Sequence, residues 1–351
     1  MLSLTGTPLF ALTIVLAALG PIGVVWWWRR SSGRNWFSTV RRWASVVLCQ
    51  LLTVTALFLW VNNQYGFYTS WSDLAGRSGA TAKIRANGLV SSGAGRAEVL
   101  TLAGAATGHP SRQVLVWLPP QYDQPSYAQA TFPVVLVLPG QPSTPEAMYR
   151  HFNFGAVAAA EIAAGRTKPF VAVFPPLMTN PPRDTECTNI AGGPQAETWL
   201  SRDIPRAVGK TLRTAPTPWA SIGWSTGAFC SAKLLLKHPT QYHAAVGLGG
   251  YYQPITDKTT GDLFGSSATA RQQNSPVWLY QHGGLHQRKL LLVYGQQDHE
   301  SRKATSKMLA VSQGDPNVSS LAFPTGGHNY RNYRTYLPDA LRWLNTTGTL
   351  G

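Results

Sequence analysis

The chain has 351 residues, of which 44% are hydrophobic, and this fits one large α/β domain with an additional segment. Lys and Arg outnumber Asp and Glu by 30 to 15, which gives a formal net charge of +15. The basic residues are scattered and accompany no nucleic-acid-binding motif, so the charge does not predict a nucleic-acid partner. Three cysteines without ligand-like spacing predict neither a metal site nor a cofactor.

The N-terminal part contains two long uncharged runs, at about residues 8–28 and 43–61. Each is long enough to cross a hydrocarbon core of ~30 Å as a helix. A cleaved signal peptide carries positive charge before its apolar region, whereas here the charge follows it. We therefore expect residues 1–61 to form a transmembrane hairpin.

The loop between the two runs, residues 29–42, carries five arginines. Because basic loops tend to stay in the cytoplasm, the sequence predicts a cytoplasmic loop, two spans of the cell membrane and an extracytoplasmic remainder. Residues 62–95 are rich in Gly, Ser and Ala, and we interpret them as a juxtamembrane connector. The extracytoplasmic domain is then 96–351.

Short apolar runs alternate with helix-like segments after the connector. Strands are predicted at 97–102, 113–118, 133–138, 169–174, 219–223, 244–248, 289–294 and 318–323. Helices are predicted at about 145–164, 196–213, 226–237, 300–312 and 332–346. This alternation predicts a mostly parallel central sheet with helices on both faces, and the first two strands predict an antiparallel hairpin at one edge.

The stretch Gly223-Trp224-Ser225-Thr226-Gly227 matches the G-x-S-x-G elbow, a sharp strand-to-helix turn that exposes a serine oxygen above a sheet. A side chain at either glycine would collide with the neighbouring strand or helix, or oppose the strained turn. The stretch follows a predicted strand and precedes a predicted helix, which is the context that the motif requires. Ser225 is therefore the candidate nucleophile.

A serine hydroxyl is a weak nucleophile near neutral pH, so it needs an imidazole base that is oriented by an acid. His328 follows the last predicted strand and precedes the terminal helix, which favours it as the base over His299 and His238. Asp298 stands in the turn after a strand, where its carboxylate can point toward the histidine loop. We expect Asp298 to be the acid, with Glu300 as the fallback.

A tetrahedral intermediate needs two hydrogen-bond donors for its oxyanion. The backbone N–H of Thr226, directly after the candidate nucleophile, is the first. The second is expected from the loop after the third predicted strand, where Pro139 and Pro142 have no N–H. Gln141 is therefore the favoured second donor and Gly140 the alternative.

Two further pairs of residues complete the predicted site. Cys187 and Cys230 are the cysteines outside the apolar runs, and outside the cytoplasm they can form a disulfide, two separately buried thiols being the alternative. The segment 249–289 is too long for a simple connector, and we expect it to line the substrate entrance. Trp224 and Trp278 are candidate walls of that entrance, ordinary core packing being the alternative for each.

These stretches resemble the α/β-hydrolase esterases of the antigen 85 mycolyltransferase and esterase D type, in a membrane-tethered actinobacterial form. The resemblance extends over roughly residues 97–346, and its matching pieces include "VWLPPQYD", "FPVVLVLPG", "GWSTGAFCSAKLLLKHPTQYHAAVGLGGYY", "LLVYGQQDHES" and "GGHNYRNYRTYLPDALRWLN". It implies an α/β-hydrolase fold and the site roles given above. The chain departs from the family at Thr226 and Gly227, where small or methionine-glycine residues usually follow the serine, and mycolyltransferases use a glutamate as the acid.

The resemblance and the candidate residues together imply acyl transfer through an ester of Ser225, with water or a carbohydrate hydroxyl as the acceptor. A membrane tether suits an envelope lipid or glycolipid ester as the substrate. The alternative from another functional class is an inactive hydrolase fold that serves as an envelope binding or scaffold protein. A peptidase is a third, disfavoured interpretation.

Overall fold

A computed structural model describes residues 4, 6–30, 36–65, 71–74, 89–90, 94–179, 183–216 and 218–350. The chain divides into two compact units, Met1–Ala82 and Lys83–Gly351.

The first unit contains helices α1 (Thr7–Arg30) and α2 (Trp36–Tyr65), which pack against each other, and the short α3 (Trp71–Leu74). With 24 and 30 residues, α1 and α2 are about 36 and 45 Å long. Their apolar windows have mean hydropathies of 2.3 and 2.1, and many large apolar side chains are exposed along both helices. By length and composition both helices could cross a membrane, as the sequence predicts.

Helix α2 begins before the predicted second span, so the loop between the helices is shorter than the expected 29–42. Helical hydrogen bonding continues beyond the apolar run because Arg and Trp are compatible with a helix and favour the membrane interface. Three arginine–tryptophan pairs lie there, with guanidinium-to-ring distances of 4.1, 5.1 and 6.0 Å: Arg30 on Trp26, Arg41 on Trp27 and Arg42 on Trp28. Much of the predicted connector, residues 66–70, 75–88 and 91–93, lies outside the described residues.

Among the described residues, the second unit is built on a nine-stranded sheet of order β1-β2-β3-β5-β4-β6-β7-β8-β9. The strands are β1 (Leu89–Val90), β2 (Arg96–Gly104), β3 (His109–Leu118), β4 (Val134–Leu138), β5 (Val171–Phe174), β6 (Trp219–Trp224), β7 (Tyr242–Leu248), β8 (Lys289–Gly295) and β9 (Val318–Phe323). β2 and β3 form the expected antiparallel hairpin, flanked by β1. β3 pairs antiparallel with β5, and every pairing from β5 to β9 is parallel.

The helices of this unit are α4 (Pro145–His151), α5 (Phe154–Ala163), α6 (Ala196–Thr198), α7 (Ile204–Thr211), α8 (Thr226–Lys237), α9 (Ala268–Gln272), α10 (Pro276–Gly283), α11 (His299–Val311), α12 (Tyr330–Tyr333) and α13 (Leu337–Thr346). The single helix predicted at 145–164 is two helices, because Asn153 adopts a left-handed conformation with φ 49° between them. The prediction for 226–237 coincides with α8.

The central strands β4 to β8 are buried on both faces of the sheet. In β4, Val135 and Val137 pack on one face and Leu136 and Leu138 on the other, because successive side chains of a strand alternate. Apolar residues of α4, α5 and α13 cover the first face, and residues of α7, α8 and α11 cover the second. This arrangement explains why the central strands are nearly continuous apolar runs in the sequence.

Two glycines allow the close contact between β6, α8 and the neighbouring strand. A Cβ on Gly223 would lie 1.9 Å from the carbonyl oxygen of Gly227, and one on Gly227 would lie 2.1 Å from the carbonyl oxygen of Leu138. Both distances are far below van der Waals contact, and the atoms met are backbone. The steric role expected of the elbow glycines is therefore observed.

Replacing Gly227 by alanine is expected to lower the free energy of unfolding by about 3 kcal/mol, because the strand and the helix must separate. Gly209 is the matched control: it lies within α7, and a Cβ there would meet nothing within 4 Å. Gly209→Ala should instead stabilise the helix by roughly 0.5 to 1 kcal/mol. Urea unfolding of the full chain in detergent measures both, and equal effects of the two changes would contradict the account.

Candidate active site

The loops that follow β4, β6, β8 and β9 lie at the same edge of the sheet, because the carboxyl ends of parallel strands lie side by side. These four loops carry Gln141, Ser225, Asp298 and His328 in that order. The topology therefore places residues that are distant in the sequence at one edge.

Ser225 forms the turn between β6 and α8, with φ 56° and ψ −118°. A positive φ is rare and strained for a residue with a side chain, and such strain persists where the surroundings hold the backbone. The N–H of Ser225 donates to the carbonyl oxygen of Leu248 at 2.9 Å, which ties the turn to β7. The serine hydroxyl is thereby presented at the N-terminal end of a helix.

His328 links Ser225 to Asp298. Its Nε2 lies 2.9 Å from the Oγ of Ser225, and its Nδ1 lies 2.7 Å from the Oδ2 of Asp298. The histidine side chain is 30% exposed and the aspartate side chain only 4% exposed, so the pair extends from the surface into the interior. The structure brings together the three residues that chain order selects.

The rival residues lie elsewhere on α11. His299 and Glu300 are exposed, and the Nδ1 of His299 faces the guanidinium of Arg302 at 3.4 Å. Asp298, which precedes them, is the carboxylate in contact with the His328 ring.

Asp298 is held by two donors besides His328. Its Oδ2 accepts from the hydroxyl of Tyr333 at 2.6 Å, and its Oδ1 accepts from the N–H of Ser301 at 3.3 Å. Burial alone would raise the pKa of Asp298, but the hydrogen bonds from His328, Tyr333 and the Ser301 N–H bring that pKa below its ordinary value. The residue is therefore a carboxylate at neutral pH and can stabilise an imidazolium.

Tyr333 is a member of the site that sequence reasoning misses. Its hydroxyl donates to Asp298 and accepts from the N–H of Gly295 at 3.2 Å, and burial raises the pKa of Tyr333 well above its ordinary value. Tyr333 follows His328 by five residues, but the sequence spacing does not indicate that Tyr333, rather than Tyr330 or Tyr336, contacts the acid.

An aromatic stack supports the His328 ring. Trp224 lies nearly parallel to it, with centroids 5.1 Å apart, and packs on Tyr330 at 4.0 Å. Tyr330 in turn stacks on His151 at 4.9 Å. Trp224 is only 6% exposed, so it contacts the histidine from within the protein.

Trp278, the other candidate wall, lies on α10 and stacks on His282 with centroids 3.9 Å apart. Trp278 is half-buried, and His282 lies one turn further along the same helix. A substrate-lining role for Trp224 or Trp278 stays a prediction.

The loop after β4 lies directly beside the nucleophile. A Cβ on Gly140 would approach the Cβ of Ser225 to 2.9 Å, and the N–H of Ser143 donates to the carbonyl oxygen of Gly140 at 2.8 Å. Gln141 stands within this turn. Thr226 is the first residue of α8, where an N–H has no intrahelical acceptor and the helix dipole is positive. The assignment of Gln141 and Thr226 as oxyanion donors stays a prediction.

Cys187 and Cys230 form a disulfide with Cα atoms 5.9 Å apart, which confirms the expected pairing. The bond ties the loop before α6 to the helix that begins after Ser225. Closing a loop of 43 residues restricts the unfolded chain, and we expect a stabilisation of ~3 to 4 kcal/mol.

Thiol labelling of the denatured chain tests the bond. Without reductant, Cys49 alone should react, because it is the free cysteine of the described residues, and all three cysteines should react after reduction. Labelling of three cysteines without reductant would contradict the pairing.

Residues 105–344 match the family model described as "Putative esterase". An uncharacterised protein of Corynebacterium glutamicum is 22% identical over 269 residues, which cover 71% of this chain and 61% of that protein. The chain therefore spans about three fifths of the length of this curated relative.

Two solved structures show the same fold. An S-formylglutathione hydrolase from Agrobacterium tumefaciens matches with a TM-score of 0.62 and 17% identity over 76% of this chain and 100% of its own. MPT51 (FbpC1) of Mycobacterium tuberculosis matches with a TM-score of 0.53 and 17% identity over 73% and 99%. The expected α/β-hydrolase fold, preceded by two apolar helices, is confirmed. Because the family model covers most of the chain, this protein belongs to the esterase family.

Proposed function

We propose that the chain is a serine esterase or acyltransferase that carries the acyl group on Ser225. The observation that carries the proposal is the line of contacts from Ser225 Oγ to His328 and on to Asp298, at 2.9 and 2.7 Å. This is the geometry in which a base can remove the serine proton while an acid fixes its tautomer.

The proposed reaction proceeds in two acyl transfers. His328 accepts the proton of Ser225 as the serine oxygen attacks the ester carbonyl, and Asp298 stabilises the imidazolium. The oxyanion is bound by the N–H groups of Thr226 and Gln141, and the proton then passes from His328 to the departing alcohol. Water or another hydroxyl, deprotonated by His328, then attacks the acyl carbonyl. His328 returns that proton to the departing Ser225 oxygen, and the carboxylic acid or the new ester is released.

A fluorophosphonate probe tests whether the protein is an enzyme or an inactive scaffold. We expect the full chain in detergent to be labelled, because the probe reacts with an activated serine, and Ser225→Ala to abolish the labelling. Ser320, which is exposed on the edge strand β9, provides the control, and Ser320→Ala should be labelled like the unmodified chain. An unlabelled wild-type chain would favour the scaffold.

We further propose that α1 and α2 anchor the protein in the cytoplasmic membrane, with the esterase domain outside. Five arginines between the two apolar runs, residues 8–28 and 43–61, support this orientation. Protease added to intact spheroplasts should release a fragment that contains Ser225. Protection of that fragment until the membrane is broken would show the opposite orientation.

An anchored domain suits an ester that is itself in the membrane, and we propose an envelope lipid or glycolipid ester as the substrate. Confinement to the membrane surface raises the encounter rate with such a lipid and does nothing for a soluble ester. Release of the domain by protease should therefore reduce hydrolysis of vesicle-embedded esters much more than hydrolysis of short soluble ones. Equal losses for both substrates would contradict the proposed substrate class.

A further inference from the structure

The segment 186–188 is fixed to α8 at two points. The disulfide joins Cys187 to Cys230, which stands five residues after Ser225. Lys233, fully buried on the same helix, donates from its Nζ to the carbonyl oxygen of Glu186 at 2.8 Å and to Thr188 Oγ1 at 3.1 Å. The backbone around Glu186 therefore has little freedom relative to the elbow helix.

The backbone of this segment is strained. Glu186 and Cys187 both have positive φ values, 45° and 48°, which are unusual for two consecutive residues with side chains. Strain of this kind persists where the surrounding structure holds it, and it is concentrated at functional sites. The Glu186 side chain of this segment is completely buried.

The Glu186 carboxylate organises the chain that follows β7. It accepts from the hydroxyl of Tyr251 at 2.8 Å, and both of its oxygens lie 3.1 Å from the N–H of Ile255. Burial raises the pKa of Glu186 and lowers that of Lys233. A buried ionisable group is by itself weak evidence for a stabilising role.

The same tyrosine reaches the nucleophile's neighbour. The hydroxyl oxygen of Tyr251 lies 3.2 Å from the Oγ1 of Thr226, and its ring stacks on Phe229 of α8 at 5.1 Å. The contacts thus run from Glu186 through Tyr251 to Thr226. They end at the residue whose N–H is the first expected oxyanion donor.

We propose that Glu186 and Tyr251 are positioning residues that hold the N–H of Thr226 where the oxyanion of the proposed acyl transfer forms. The inference rests on the proposed function and adds Glu186 and Tyr251 to the site as residues that act through Thr226. The elbow needs such support, because Ser225 is itself strained and a relaxed turn would rotate the following N–H away. Neither Glu186 nor Tyr251 touches the reacting atoms.

The test uses the full chain in detergent and a short p-nitrophenyl ester. Tyr251→Phe should lower kcat by about 10-fold and leave KM within about twofold, because an oxyanion contact acts only in the transition state. The matched control is Tyr280→Phe on α10, since Tyr280 also donates to a carboxylate, that of Asp315, at 2.7 Å. The control should retain the wild-type kcat.

Changes at Thr226 separate positioning from folding. Thr226→Val removes the hydroxyl with little change of shape and should lower kcat like Tyr251→Phe, whereas Thr226→Ser keeps the hydroxyl and should retain most of kcat. The double variant Tyr251→Phe/Thr226→Val should be no slower than Thr226→Val, because that change already removes the contact with Tyr251. The two Thr226 variants test the positioning role even if Tyr251→Phe folds poorly.

Two results would overturn the positioning role. One is a kcat for Tyr251→Phe and Thr226→Val equal to that of Tyr280→Phe. The other is a raised KM at unchanged kcat, which would make Tyr251 a substrate-binding residue. Ser225→Ala separates these results from a failure of the proposed function. If hydrolysis disappears in Ser225→Ala, the proposed function stands even though the positioning role fails. If hydrolysis persists in Ser225→Ala, the proposed function itself is refuted.

Discussion

Replacement of His328 by alanine is expected to lower kcat for ester hydrolysis by about 10⁶-fold, because removing the base of such a triad costs nearly as much as removing all of it. The structure supports this size of effect, since the His328 ring contacts both Ser225 and Asp298. The fold should survive, because the side chain is partly exposed.

His299 provides the control for this prediction. It is the rival base in the sequence, and it is exposed at the start of α11. His299→Asn should keep kcat within about twofold of wild type, as surface substitutions have small effects. Steady-state kinetics of both variants on one soluble ester measures the difference, and similar losses for the two would contradict the assignment of the base.

Asp298→Asn is expected to lower kcat by about 10⁴-fold, because an amide at this position favours the wrong tautomer of the imidazole. Asp298 carries a depressed pKa, since its hydrogen bonds from His328 and Tyr333 outweigh the cost of burial. A group with a depressed pKa contributes stability above its unfolded pKa and loses it as the pH falls through the folded value. The wild type should therefore be less stable in acid, and Asp298→Asn should reduce that acid dependence.

Glu300→Gln is the matched change for the fallback acid. Glu300 is exposed on the first turn of α11, two residues after Asp298. Its replacement should leave kcat within about twofold of wild type. A large loss for Glu300→Gln together with a small loss for Asp298→Asn would transfer the acid role to the glutamate.

Much of the framework is predictable because it depends on local sequence. Continuous apolar runs predict the strands β3 to β8, since strands buried on both faces need no polar side. The elbow is recognisable from Gly223 and Gly227, which pack backbone against backbone. The disulfide is predictable by elimination, because one of the three cysteines lies in an apolar run.

Features that depend on long-range contacts are not predictable in this way. Tyr333, Glu186 and Tyr251 meet their partners across 25 to 65 residues of sequence, and buried tyrosines and glutamates have no local signature. The division of the predicted helix at 145–164 depends on one residue, Asn153, whose left-handed conformation no periodicity reveals. Helix α2 begins before its apolar run, so the apolar run predicts the segment that could cross a membrane and does not predict where the helix begins.

In the proposed mechanism Ser225 carries the acyl group during turnover. The most direct measurement is mass spectrometry of peptides from the full chain, acid-quenched within milliseconds of mixing with a p-nitrophenyl ester. We expect an initial burst of nitrophenol and an acyl mass on the peptide that contains Ser225, and neither in Ser225→Ala. Turnover by the wild type with the acyl mass on another residue, or an unchanged burst in Ser225→Ala, would show that Ser225 is not the nucleophile.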